Sequence, residues 1–251
     1  MTPYNKFKQE CAEEILDQGT EESLTRVTRE WLNLANPKKY SYHFEWLGRP
    51  IIQYPQDIVA MQEIIWSIQP DLIIETGIAH GGSLIFSASM LELNAACGGP
   101  KNAEVLGVDI DIRAHNRAAI EAHPMSKRIS MIQGSSIWPD IIEQVKARAT
   151  GKQHVLVCLD SNHTHDHVLA ELEAYAPLTS IDSYCVVFDT IIEDMPASMS
   201  LGRPWGRGNN PKTAVWEYLK THSGFAIDKT IQHKLLITVA PDGYLKRVNT
   251  L

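Results

Sequence analysis

The residues of this chain best suited to chemistry directly follow two short apolar runs. Asp160 and His163 come after the run Val155–Leu159, and Asp189 comes after Tyr184–Phe188. Each run is typical of a buried parallel strand, and ligands bind beyond the carboxyl ends of such strands in open α/β sheets. Two carboxylates on neighbouring strand ends suit a hard cation such as Mg²⁺. Asp160 and Asp189 are therefore the predicted metal ligands.

His163 is the candidate general base, because histidine is the side chain most suited to exchanging a proton at physiological pH and this one stands three residues beyond Asp160. A metal held by Asp160 lowers the pKa of a coordinated hydroxyl, so we assign Asp160 and His163 to the catalytic centre. Two alternatives stay open: the aspartates cap turns or helices, and His163 is an ordinary hydrogen-bonding histidine. His165 and His167 are expected to enter the following helix, with His167 exposed.

A glycine-rich segment, Glu75–Ser83, stands where an earlier apolar run ends and a helix begins. Glycines let the backbone approach a ligand, and the helix start offers free N–H groups. The spacing departs from GxGxxG, so a purely structural turn is an alternative. The candidate cofactor-binding residues in this segment are Glu75, Thr76, Gly77, Gly81 and Ser83.

Two further strand ends contribute candidates to the same cofactor site, which also includes Asp160. Asp109 ends the second predicted strand, where a carboxylate can bond a nucleoside ribose. Its alternative role is to cap the next helix, which Asp111 suits better. Ser135 and Ser136 follow the third strand, where they either surround an adenine edge or cap a helix.

The elements that position these residues alternate between helix and strand from Pro55 onward, which is typical of an α/β protein. We predict a doubly wound, Rossmann-like, seven-stranded sheet. The predicted strands are Asp71–Glu75, Val105–Asp109, Ile129–Ile132, Val155–Leu159 and Tyr184–Phe188, with a closing pair around Phe225–Lys229 and Leu235–Val239. The predicted helices are Ile58–Ile68, Ser83–Leu93, Asp140–Ala149, His165–Tyr175 and Pro211–Thr221.

Two segments outside this alternation are candidates for covering the site. Residues 1–50 form a predicted N-terminal helical extension, and the main domain spans residues 51–251. The aromatic-rich stretch Tyr40–Tyr54 either forms a lid or packs the extension onto the domain. The loop Thr190–Asn210 either closes over a substrate, with Trp205 stacking on it and Arg203 meeting an anion, or is an ordinary connection.

Composition narrows the class of partner. The 251 residues carry a net charge of −7, which disfavours binding to nucleic acid. No apolar run approaches the roughly 20 residues of a membrane span. The first residues lack the basic and apolar regions of a signal peptide, so we expect a cytoplasmic protein.

With these motifs identified, the sequence resembles the cephalosporin hydroxylase family, which includes rhamnosyl O-methyltransferases. The resemblance covers roughly Tyr42 to the carboxyl terminus. The segments that carry it are Glu75–Gly77, Gly81–Ser83, Gly107–Asp109, Leu159–His165 and Val187–Thr190.

The resemblance implies a Rossmann-like sheet, bound S-adenosylmethionine, Mg²⁺ held by strand-end acids, and a homo-oligomer. Family members can carry a Glu-Asp pair at the fifth strand end, where this chain has Phe188 before Asp189. One metal ligand is therefore expected to be missing, and Glu193 or Asp194 is a candidate substitute.

We therefore predict an S-adenosylmethionine-dependent, divalent-metal-assisted O-methyltransferase that acts on a hydroxyl of a sugar or natural-product intermediate. One competing interpretation is a non-haem Fe(II) hydroxylase that uses the histidines between Asp160 and His167, although their spacing does not compel a two-histidine-one-carboxylate site. A catalytically inactive S-adenosylmethionine-binding protein and a nicotinamide dehydrogenase also fit parts of the pattern.

Overall fold

In the computed structural model, which describes residues 1–249, the chain begins with helices α1 (Pro3–Thr20) and α2 (Glu22–Ala35). The Thr2 side chain caps α1 by accepting a hydrogen bond from Asn5 N, and Pro3 occupies the first turn, where its missing N–H costs nothing. The predicted helical extension is therefore confirmed. Among the described residues, no helix combines the length and apolarity needed to cross a bilayer.

An antiparallel hairpin of β1 (Phe44–Trp46) and β2 (Arg49–Ile51) follows, and the sequence analysis did not predict it. Its two-residue turn places Leu47 and Gly48 at positive φ, which a leucine rarely adopts and which therefore gave no sequence signal. Four aromatic rings of this region pack edge to face against one another: Trp31, Tyr40, Phe44 and Tyr54. These contacts favour a packing role for the four rings over a role as a lid.

The main domain contains seven helices and a seven-stranded sheet among the described residues. The helices are α3 (Pro55–Ile68), α4 (Gly82–Ala96), α5 (Ala114–Glu121), α6 (Pro139–Ala149), α7 (His165–Tyr175), α8 (Pro211–Tyr218) and α9 (Lys229–Leu235). The strands are β3 (Leu72–Thr76), β4 (Glu104–Asp109), β5 (Ile129–Gln133), β6 (Val155–Leu159), β7 (Tyr184–Val187), β8 (Phe225–Ile227) and β9 (Tyr244–Arg247).

The strands lie in the order β5-β4-β3-β6-β7-β9-β8, and only the pairings of β9 are antiparallel. Two apolar clusters, one on each face of the sheet, form the core. The helices therefore cover both faces, and the predicted doubly wound, seven-stranded fold is confirmed.

The predicted strand around Leu235–Val239 is wrong. Helix α9 ends at Leu235, Leu236 has a positive φ, and the last strand lies further on, at Tyr244–Arg247. The end of this run is apolar because Val239, like the following Ala240, is buried in the core, although neither residue belongs to a strand. A short apolar run alone does not show whether its residues pair in a sheet or are only buried.

The register of the central strands brings their carboxyl ends together. Thr76 at the end of β3 pairs with Leu159 of β6, and Leu159 pairs with Val187 of β7. The residues that follow these ends therefore emerge side by side. Asp160 and Asp189 are among them.

Asp57 on α3 anchors the segment that precedes β9. Its buried carboxylate accepts hydrogen bonds from Thr238 Oγ1 at 2.5 Å, Val239 N at 2.9 Å and Tyr244 Oη at 2.7 Å. Burial nevertheless raises the pKa of Asp57 to about 6. A single side chain thus binds three groups in and next to this segment.

We expect Asp57→Ala to lower the free energy of unfolding by about 2–4 kcal/mol, because the buried Val239 N–H and Tyr244 hydroxyl lose their acceptor. Urea unfolding followed by circular dichroism measures the change. Glu63→Ala, on the exposed side of the same helix, is the control and should cost less than about 1 kcal/mol. Equal losses in the two variants would contradict the anchoring role.

Candidate active site

A cavity of about 260 Å³ opens at the carboxyl edge of β3, β4, β6 and β7. Six predicted site residues line it: Gly77, Ser83, Asp109, Asp160, His163 and Asp189. The other predicted residues, Glu75, Thr76, Gly81, Ser135 and Ser136, do not line it. Tyr42 and Gln53 also line the cavity, and the sequence analysis did not single them out as site residues.

Asp160, His163 and Asp189 form the candidate metal centre. Each offers a ligand atom, and these atoms lie within 4.8 Å of one another. His163 Nε2 is 3.0 Å from Asp189 Oδ2 and 3.9 Å from Asp160 Oδ1. Asp189 occupies the left-handed region at φ 55°, which aspartate tolerates better than most residues. Two carboxylates and one imidazole thus converge on one point.

Electrostatics also favour a cation at this centre. Burial raises the pKa of Asp160 well above its usual value, and the neighbouring charge of Asp189 raises it further. Among the described residues, no lysine or arginine lines the cavity. A bound divalent cation would supply the missing positive charge, and the residues present fit a hard ion.

The glycine-rich turn after β3 is held by Asp109. Its Oδ2 accepts hydrogen bonds from Ile78 N at 2.7 Å and Ala79 N at 3.3 Å. Gly77 is required because a Cβ there would clash with the Asp160 carbonyl oxygen. Asp109 and Asp111, at the end of β4, do not cap helix α5, because Arg113 occupies its N-cap position. The backbone of the turn therefore lies against the end of β6.

The β1–β2 hairpin supports this turn from outside. Arg49 donates to the His80 carbonyl oxygen from Nη2 at 2.5 Å and to Asn116 Oδ1 at 3.1 Å. A Cβ at Gly82 would clash with the Pro50 carbonyl oxygen, so the hairpin backbone packs directly on the start of α4. Arg49 gave no signal in the sequence, because its role depends on an unpredicted hairpin.

Behind the cavity, Glu75 and Thr76 bind neighbouring polar groups. The Ser83 hydroxyl donates to the buried Glu75 carboxylate, and Thr76 Oγ1 accepts a hydrogen bond from Asp160 N at 3.3 Å. Gly81 is the N-cap residue of α4. Burial raises the pKa of Glu75 to about 7.

One face of α7 holds the loops after β5 and β6. His167 Nε2 lies 3.0 Å from Ser136 Oγ and 3.2 Å from Ser161 Oγ, and the Ser161 hydroxyl donates to the fully buried Glu171 at 2.6 Å. Tyr175, one helical turn beyond Glu171, donates to the Ser136 carbonyl oxygen. The expectation that His167 is exposed is therefore wrong. His167, Glu171 and Tyr175 are four residues apart, and residues at this spacing share one face of a helix. This spacing could have predicted that His167 lies on the same face as Glu171 and Tyr175.

The two serines do not cap α6, whose N-cap residue is Trp138. Ser135 is buried, and Ser136 is held by His167. The capping alternative for these serines is therefore not observed.

The other polar candidates, His165, Glu193 and Asp194, contact residues outside the metal group. His165 Nδ1 lies 2.9 Å from Thr213 Oγ1. Glu193 accepts from Gly208 N at 2.7 Å, and Asp194 pairs with Lys212 at 2.6 Å. Neither acid belongs to the metal group, which contains only one histidine among the described residues. The geometry therefore favours a hard cation over a two-histidine iron site.

Trp205 of the long loop lies beside the metal group. Its ring centroid is 5.5 Å from that of His163, and the Arg203 guanidinium lies 5.6 Å from the Trp205 ring. The loop therefore contributes an aromatic and a cationic group next to the candidate base.

We expect Glu75→Gln to stabilise the protein at pH 8 but not at pH 5. The native Glu75 retains a proton between pH 4.5, its usual pKa, and about 7, whereas the unfolded chain has released it. Wild-type stability therefore falls as pH rises through that window, and the variant avoids a cost of up to about 3 kcal/mol. Urea unfolding in EDTA at both pH values measures the difference. A constant difference across pH would contradict it.

Comparisons with known proteins identify relatives of this chain. A family model described as rhamnosyl O-methyltransferase/CmcI matches residues 38–248. A rhamnosyl O-methyltransferase of Mycobacterium tuberculosis (strain ATCC 25618 / H37Rv) is 32% identical over 198 residues, which cover 76% of this chain and 73% of the relative. That of Mycobacterium leprae (strain TN) is 30% identical over 206 residues, covering 80% and 82%.

Solved structures share the fold. A CmcI structure with Mg and SAM gives a TM-score of 0.57 at 18% identity, covering 83% of this chain and 78% of that chain. An O-methyltransferase from Bacillus cereus in complex with SAH gives 0.52 at 13% identity, covering 82% of each. The predicted family and enzyme class are confirmed: this chain belongs to the rhamnosyl O-methyltransferase/CmcI family.

Proposed function

We propose that this protein transfers the methyl group of S-adenosylmethionine to a hydroxyl of a sugar, with Mg²⁺ held by Asp160 and Asp189. The observation that carries the proposal is the single cavity shared by the Asp160–His163–Asp189 group and the glycine-rich turn. The cofactors are supported by the related CmcI structure with Mg and SAM. The sugar is supported by the name of the mycobacterial relatives.

The methyl donor is expected to lie against the turn after β3. Asp109 lines the cavity and holds the turn through Oδ2, so its remaining lone pairs can accept hydrogen bonds from ribose hydroxyls. Gly77 allows close approach of the backbone, and Ser161 lines the same cavity. The buried Ser136 is proposed to shape the adenine end through its contact with His167.

Proton transfer is assigned to His163. Asp160 and Asp189 would hold Mg²⁺, which would supply Lewis-acid stabilisation of the acceptor oxygen as that oxygen loses its proton. His163 lines the cavity, and its Nε2 lies 3.0 Å from Asp189 Oδ2, so the imidazole is close enough to the proposed metal centre to accept that proton. Asp160 and His163 are thus assigned to the acceptor side of the proposed donor site.

The acceptor is proposed to enter beside Trp205. This ring lies next to His163, and aromatic rings pack well against the apolar face of a sugar. Arg203 lies next to the same ring and is available to an anionic or hydroxyl-rich part of the acceptor.

We expect S-adenosylhomocysteine to bind wild-type protein saturably in isothermal titration calorimetry, and Asp109→Asn to weaken binding by about tenfold, the value of one lost charge-assisted hydrogen bond. Asp111→Asn is the matched control, because Asp111 is an exposed acid two residues further on. Equal affinities in all three proteins would contradict the role of Asp109. No binding to the wild type would overturn the methyltransferase proposal.

We expect methyl transfer from labelled S-adenosylmethionine to a simple L-rhamnoside, such as the p-nitrophenyl α-L-rhamnoside, to be lost in EDTA and restored by Mg²⁺. Asp189→Asn should lower the rate at least a hundredfold, because it removes an anionic ligand. Asp166→Asn, an exposed acid at the start of α7, is the control and should retain activity. Transfer that persists in EDTA would contradict the metal assignment, and the absence of transfer to rhamnosides and to other simple glycosides would contradict the sugar acceptor.

A further inference from the structure

Gln53 is a buried amide at the metal centre, and only one end of its carboxamide has a hydrogen-bond partner among the described residues. It lies between β2 and α3, is 7% exposed, and lines both the main cavity and a recess of about 30 Å³ behind it. Its Nε2 lies 3.4 Å from Asp160 Oδ2, near the outer limit of a hydrogen bond. Its Oε1 is buried and has no hydrogen-bond partner among the described residues.

An unpartnered buried amide oxygen is costly, at about 1–3 kcal/mol, so such groups in native proteins usually await a ligand or water. The backbone around Gln53 is fixed, because Ile51 and Tyr54 on either side are buried in the core. The Cα from which the side chain extends is therefore fixed beside the cavity.

We propose that the carboxamide oxygen of Gln53 is a third protein oxygen ligand of the cation held by Asp160 and Asp189. This inference rests on the metal centre of the proposed function. It extends the ligand set to a residue outside the strand ends.

The chemistry of the ion supports an oxygen ligand. Mg²⁺ takes carboxylate, amide carbonyl and water oxygens, whereas imidazole suits zinc, iron or copper better. The metal group of Asp160, His163 and Asp189 offers only two oxygen donors. Gln53 supplies a third and leaves His163 available as the base.

The geometry supports the same assignment. A half-turn of the carboxamide exchanges its oxygen and nitrogen, which have nearly the same shape. The oxygen would then stand where Nε2 now lies, 3.4 Å from Asp160 Oδ2. Two adjacent oxygen ligands of one octahedral Mg²⁺ are separated by about 3 Å.

The test uses Mn²⁺ as a paramagnetic probe in place of Mg²⁺. Electron paramagnetic resonance titration gives the affinity, and ¹⁷O-water hyperfine spectroscopy counts the waters on the bound ion. For Gln53→Met, which keeps the packing but offers no hard oxygen, we expect about tenfold weaker binding and one additional water. Gln53→Glu keeps an oxygen ligand and should retain the wild-type water count.

Gln56→Ala is the matched control. Gln56 is three residues away and also has a buried amide oxygen without a hydrogen-bond partner among the described residues, but it lines neither cavity. Its variant should bind Mn²⁺ as the wild type does. Thermal melting of each variant shows that it is folded.

An unchanged water count in folded Gln53→Met would overturn the proposal, because Gln53 would then only orient Asp160 through its N–H. This outcome is distinct from failure of the proposed metal centre. In that case the wild type itself would bind no Mn²⁺, and Asp189→Asn would change nothing.

Discussion

The arrangement of this site depends on one constraint: parallel strands in matched register deliver their carboxylates to a single edge. Thr76, Leu159 and Val187 lie side by side, so the acids that follow β6 and β7 emerge together. Desolvation and mutual repulsion raise the pKa of Asp160, and no basic side chain among the described cavity-lining residues offsets the charge. The fold thus concentrates negative charge where a divalent cation is stabilising.

The same edge requires close backbone approach, which explains the contribution of the N-terminal region. The turn after β3 lies against the end of β6 at Gly77, and the hairpin lies against the start of α4 at Gly82. Arg49 then joins hairpin and turn. The predicted boundary after residue 50 falls within β2, so residues on both sides of it line the cavity or support its wall. Tyr42 and Gln53 are two of them.

The sequence predicted what periodicity and strand-end position encode. Apolar runs gave the parallel strands, and the acids directly after them gave Asp109, Asp160 and Asp189. Residues that contact the site from distant positions in the sequence were not predicted. Gln53 reaches Asp160 across 107 positions, and Arg49 acts through a hairpin whose turn contains Leu47 at positive φ. The apolar run Leu235–Val239 was misread because burial against α3 and pairing in a sheet produce the same pattern.

The three neighbouring histidines contact different groups because helix α7 begins after the first of them. His163 precedes α7 and faces Asp189, whereas His165 and His167 lie within the first turn of α7 and point to Thr213 and Ser136. Successive helical positions are rotated by about 100°, so residues two apart cannot converge on one ion. The centre therefore has one imidazole and two carboxylates, with the amide of Gln53 beside them. Such an oxygen-rich set suits a hard cation that activates a hydroxyl, and it disfavours the iron chemistry that the histidine-rich sequence also suggested.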